Sequence, residues 1–190
     1  MNSAAVSCKT VELKNHSKLY WQYNCKRIWL TLENVNGRKS VLNEVEVELF
    51  GYTYRLGYHL IKEYKNSLLF RSGCAANGGC TYILVNKSNG KIQKKFNQVI
   101  CIDTDVKWEH PHPYEYNFVV YFSDEPDQLL IYFIDSKKTQ RVPFAQELTS
   151  VFPTDHFKEM TLKGNVLTIS MEVDNKKSKI TINLNEKNEK

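Results

Sequence analysis

No apolar run in this 190-residue chain approaches the ~18 residues that a membrane-spanning helix needs. The longest, residues 129–134, is the size of one strand. Aspartate is missing from the first 95 residues, which carry 15 Lys and Arg against 6 Glu, a net of +9. The remainder carries 11 basic against 15 acidic residues, a net of −4, so the overall +5 conceals a basic half and an acidic half. The two halves are set to meet different partners or each other, unless the lysines are simply solvated strand surface. No zinc-finger spacing, RNP-type aromatic motif or helix-turn-helix pattern accompanies them, so nucleic acid is a minor reading and no nucleic-acid partner is expected. Catalytic signatures are equally scarce. There is no G-x-S-x-G elbow, Gly78-Gly79 lacks the Lys-Ser/Thr that would follow in a phosphate loop, and Asp124, Glu125 and Asp127 lack calcium-loop spacing. No cofactor is expected.

Residues 1–7 lack the basic and apolar regions of a secretory signal. They read as a remnant ahead of a mature sequence beginning near Cys8. The cysteines are Cys8, Cys25, Cys74, Cys80 and Cys101, an odd number. In an oxidising compartment four pair and one remains. Cys8, nearest the start, then suits a lipid anchor, which is the membrane association expected of this chain; a free thiol or a bond to Cys25 is the alternative. Cys74 and Cys80 bracket Ala75-Ala76-Asn77-Gly78-Gly79, small residues that let a short disulfide ring close. Reduced thiols, or half of a zinc site at an unsuitable spacing, compete with that reading. Cys25 and Cys101 fall in apolar strands, as a second bridge or as small core residues.

The rest of the chain reads as strands and turns. Residues 19–33 form one or two strands, with a turn at Asn36-Gly37. Residues 41–50 alternate Glu44, Glu46 and Glu48 with Val45, Val47 and Leu49, predicting a strand with one wet face. Residues 52–61 keep that period, with Tyr52, Tyr54, Leu56, Tyr58 and Leu60 on the inner face. Residues 68–103 predict a meander carrying the Cys74 and Cys80 loop at its centre. Further strands follow at 116–122, 129–134, 140–144, 166–173 and 178–184, with helical turns at 145–152 and 156–160. Turns near Asn36, Ser88, Lys137 and Asn175 recur every ~40–50 residues, the spacing of propeller blades. The fold class is therefore all-β, an antiparallel meander of about four hairpin units. A sandwich, a partly open barrel and a small propeller-like arrangement all satisfy it. Residues 11–185 form one domain, with flexible segments at 1–10 and 186–190.

Residues 103–115 have no period, and Pro111 and Pro113 exclude a helix. Two readings meet there. In the first, Trp108, His110, His112, Tyr114 and Tyr116 form an amphipathic contact surface for a protein or glycan. The chain is then a non-enzymatic extracytoplasmic module, such as a lipoprotein-type domain, an inhibitor or an immunity-like partner. In the alternative, His110 and His112, one residue apart on an extended strand, point the same way. With Glu109, Asp103 or Asp105 they would hold the metal of a metal-dependent enzyme.

Overall fold

The computed structural model describes residues 9–74, 79–108, 116–122, 128–142 and 153–184. The chain is all-β, and its described residues form four sheets of four strands each. It divides into two compact units, Met1–Phe96 and Asn97–Lys190. This boundary coincides with the charge boundary, since Phe96 and Asn97 are uncharged.

The first unit holds β1 (Val11–Glu12), β2 (Lys18–Tyr23), β3 (Arg27–Glu33) and β4 (Lys39–Glu46), paired antiparallel in that order. After an irregular segment come β5 (His59–Glu63), β6 (Ser67–Ser72), β7 (Thr81–Asn86) and β8 (Ile92–Phe96), again an antiparallel meander. Leu19, Leu30 and Leu32 from the first sheet, with Leu13 just after β1, share a core with Leu68, Phe70, Ile83 and Val85 from the second. Each such buried side chain contributes about 1.5–3 kcal/mol. The turn at residues 86–90 is fastened across this core: Asn34 Nδ2 donates to Ser88 O at 3.0 Å and Ser40 Oγ to Asn89 O at 3.2 Å. Gly90, at φ +69°, makes the close approach possible, because a Cβ there would lie 2.6 Å from Ser40 Cβ.

The second unit holds β9 (Val99–Ile102), β10 (Lys107–Trp108), β11 (Phe118–Phe122), β12 (Leu129–Phe133), β13 (Thr139–Val142), β14 (Phe157–Lys163), β15 (Val166–Val173) and β16 (Lys176–Asn183). One sheet runs β13-β12-β11-β9 and the other β10-β14-β15-β16, with β10 parallel to β14 and all other neighbours antiparallel. Phe118, Val120 and Ile131 pack with Leu162, Leu167, Ile169 and Met171 in one core. β15 buries every second residue, whereas all five residues of β11 are buried. The two patterns are those of a strand with one wet face and of a strand covered on both faces.

The turns near Asn36, Ser88, Lys137 and Asn175 each join the last two strands of a sheet. The spacing of ~40–50 residues thus marks one sheet per repeat. Each unit is a pair of open sheets around one core, the layering of a sandwich, and no closed barrel occurs among the described residues.

Several local expectations fail for physical reasons. The strand predicted at 41–50 stops at Glu46, whose partner Arg27 is where β3 begins. With no strand left to pair, the chain winds into a 3-10 helix, Val47–Tyr52, and one α-turn, α1 (Thr53–Leu56), so the strand predicted from Tyr52 begins only at His59. The helical turn predicted from His156 is β14, because Met160 and Leu162 pair with Ile169 and Leu167 of β15. The meander predicted over 68–103 breaks between Phe96 and Val99, where the units divide. The helical turn expected at 145–152 lies outside the described residues.

Candidate binding surface

Cys74 and Cys80 are joined by a disulfide, with Cα atoms 3.9 Å apart. The β6–β7 ladder ends at Ser72 and Thr81, and Gly73 then turns at φ +58°. Beyond the ladder the ring grips its neighbour directly. Arg55 Nε and Nη2 donate to Cys74 O at 3.2 and 3.1 Å, and Cys74 N donates back to Arg55 O at 3.1 Å. Ser72 Oγ donates to Leu56 O at 3.0 Å. His59 Nε2 donates to Thr53 O at 3.0 Å. Gly57 N also donates to Thr53 O, and a Cβ on Gly57 would stand 2.6 Å from that oxygen. The residue there must be glycine for the chain to turn so tightly.

The segment so held exposes its apolar side chains. Val47 is 39% exposed, Leu49 39%, Phe50 45%, Tyr52 54% and Leu56 41%. No residue of the 3-10 helix is buried, and its six residues exceed the usual run of ~3–4. At the other end of the segment Val47 N donates to Lys26 O at 2.9 Å, and Tyr23, exposed, lies in the cross-strand row of Ile28 and Val45. Tyr52, Arg55, Leu56, Gly73 and Cys74 line a notch of about 280 Å³, just below the ~300–1,000 Å³ of small-ligand clefts. Glu46 and Glu48, both exposed, border the patch, and no described residue forms an ion pair with either.

Sequence reasoning missed this surface, because the Glu and Val alternation up to Leu49 matched a strand. Gly51, a strand breaker beside three large apolar residues, was the available signal.

Of the predicted contact residues, Trp108 and Tyr116 are among those the structure describes. Trp108 sits on β10 opposite Leu162 and is partly exposed, whereas Tyr116 packs on the core of the second unit. His110, His112 and Tyr114 lie outside the described residues, as do Glu109 and Cys8. Asp105 Oδ2 accepts the Ile102 N–H at 2.9 Å, so that carboxylate closes the 3-10 turn Asp103–Asp105, in which Asp103 is buried. Among the described residues no group of three or more His, Cys, Asp or Glu is placed to hold a metal.

Cys25 and Cys101 are free thiols: Cys25 lies exposed in the β2–β3 turn, and Cys101 is buried on β9. Burial, reinforced by Asp105 and Asp103, holds the Cys101 thiol far above its ordinary range, protonated and unreactive. A wider groove of about 540 Å³ in the second unit has walls of mixed charge, with Lys158, Lys177 and Lys179 beside Glu159 and Glu172. Among the described residues no helix is long and apolar enough to cross a membrane.

No family model and no curated protein matches the chain. Among solved structures it is similar to TolB from Acinetobacter baumannii, at 14% identity with a TM-score of 0.34. The similarity covers 90% of this chain and 39% of that one, so the chain spans about two fifths of that protein's length. At that identity and TM-score the likeness assigns neither fold nor function.

Proposed function

We propose that the chain is a non-enzymatic, extracytoplasmic binding module that holds a protein partner on residues 47–56, beside the Cys74 and Cys80 ring. The observation that carries this reading is the exposure of five large apolar side chains within ten residues. The protein's own fold leaves them wet, and apolar exposure concentrated in one short segment marks contact with another molecule. Burying the exposed halves of Phe50, Tyr52 and Leu56 is worth roughly 1 kcal/mol each, the scale of an interface anchor. The disulfide favours an oxidising compartment. A lipid on Cys8 would tether the module to a membrane face.

The chemistry of the border selects the partner. Glu46 and Glu48 would repel an anionic lipid surface and attract Lys or Arg, so the fitting occupant is a protein presenting apolar side chains flanked by basic ones. A glycan would need several hydrogen-bonding groups in the notch. The Arg55 guanidinium, its charged donor group, is already engaged with Cys74 O. Trp108, His110, His112, Tyr114 and Tyr116 are proposed as a second contact region for the same class of partner.

The test is capture of an extracytoplasmic protein by the wild type, by Phe50→Asp and Tyr52→Asp, and by Val35→Asp, which alters an exposed apolar residue in the β3–β4 turn. The partner should be lost with the first two variants and kept with the third. Equal capture by all four proteins would remove the reading.

A further inference from the structure

The geometry points to the oxidation state of Cys74 and Cys80 as the control on this docking surface; the inference rests on the binding role proposed for residues 47–56. Three of the bonds that fix the Arg55 end of the segment run to the backbone of Cys74: two from the guanidinium and one from the Cys74 amide. Cys74 lies two residues past the last ladder pair, Ser72 with Thr81, and the intervening Gly73 is free to rotate once the ring opens. A free Gly-rich chain of this length would hold its ends about 13 Å apart, against 3.9 Å between the two Cα atoms in the closed ring. Without the bridge, Arg55 is the described side chain that holds Cys74 O in place.

The remaining supports do not involve the ring. Val47 N stays on Lys26 O, Thr53 Oγ1 on Phe50 O, Gly57 N and His59 Nε2 on Thr53 O, and Ser72 Oγ on Leu56 O. The ladders of β5, β6 and β7 also persist, so reduction releases one end of the surface and leaves the unit folded. The reductant is a dithiol. Its thiolate attacks one sulfur of the bridge and breaks the S–S bond, and its second thiol resolves the mixed disulfide. Two electrons and two protons end on Cys74 and Cys80, and the dithiol leaves as its own disulfide. In an oxidising compartment the reverse holds. The Tyr52, Arg55 and Leu56 side of the notch then takes its docking shape when the ring closes, and a copy kept in a reducing compartment presents a loosened surface.

Amide hydrogen exchange on the whole protein, oxidised and after reduction by dithiothreitol, tests the inference. The Cys74 and Gly57 amides should exchange about ten-fold faster or more after reduction, while those of Val47, Leu30 and Leu32 stay within about two-fold. Arg55→Met, with the bridge intact, should reproduce the change at Gly57. Unchanged exchange at Gly57 and Cys74, or equal acceleration throughout the unit, would overturn the control. The docking role fails on a different readout: if Phe50→Asp captures partner as well as the wild type, the surface does not bind, whatever reduction does to exchange.

Discussion

Lys87 opens the turn at residues 86–90 with its ammonium nearly sealed from water: the side chain is 4% exposed, and Nζ lies 2.5 Å from Glu63 Oε1. Nζ also reaches Lys65 O at 3.3 Å, and the same Glu63 oxygen accepts the Lys14 N–H at 2.8 Å. The pair therefore fastens the connection after β1, the β5–β6 hairpin and the β7–β8 turn to one point. Glu63→Gln keeps an acceptor for Lys14 but strands a buried cation, which costs about 3–5 kcal/mol for a fully buried pair. Because Glu63 is 15% exposed, about 3 kcal/mol is expected. Lys87→Met removes the cation and leaves a carboxylate that still touches water and Lys14, at about 2 kcal/mol. The double variant strands no charge, so its loss should be about 2 kcal/mol rather than the sum of about 5. Urea unfolding followed by tryptophan fluorescence reads this unit well, because Trp21 and Trp29 lie in it and Trp108 in the other. The midpoint should move with the slope unchanged. A loss under about 1 kcal/mol for Glu63→Gln, or additive single losses, would refute the buried-pair reasoning.

Gly90→Ala should cost about 2 kcal/mol in the same assay, since it combines a left-handed φ with a Cβ pressed on Ser40 and Leu42; a neutral substitution would show that the turn does not dock on the first sheet. The hydrogen bond and charge of Lys107 hold the Glu159 carboxyl below its ordinary value of 4.5. A depressed pKa stabilises above the unfolded value and is lost as pH falls through the folded one. The Trp108 indole resonance should therefore shift below pH 4.5 as β10 loosens from β14, and Lys107→Met should abolish the shift; an acid transition equal in both proteins would count against the tie. An alkylating reagent should label Cys25 within minutes and leave Cys101 unlabelled until unfolding, and rapid native labelling of Cys101 would contradict its burial.

The repeat of four sheets was legible because turn chemistry is local. Asn36-Gly37, the hydroxyl and amide pattern of residues 86–90, and the left-handed residues Lys137, Asp174 and Asn175 are set by short-range backbone preference. The disulfide was legible for a similar reason, as small residues between two cysteines permit a short ring. What the sequence hid depends on distant residues. Glu44 through Leu49 carry a strand pattern to the end, yet a strand exists only while a neighbour offers hydrogen bonds, and β3 offers none beyond Arg27. The same dependence makes residues 157–163 a strand where the sequence predicts a helical turn. Turn chemistry did not reveal the unit boundary, because Asn97-Gln98 looks like any other turn between strands; the change in charge sign at the same place was the available signal. Trp108 and Tyr116 read alike as exposed rings, and only tertiary packing separated the partly exposed one from the one folded onto the core.

The binding role of residues 47–56 is tested most directly by amide exchange on the oxidised protein with and without its captured partner. The Gly57 and Cys74 amides and those of residues 47–56 should be protected about ten-fold or more in the complex. Protection confined to β14, β15 and β16, with residues 47–57 exchanging as in the free protein, would place the partner elsewhere and contradict the assignment.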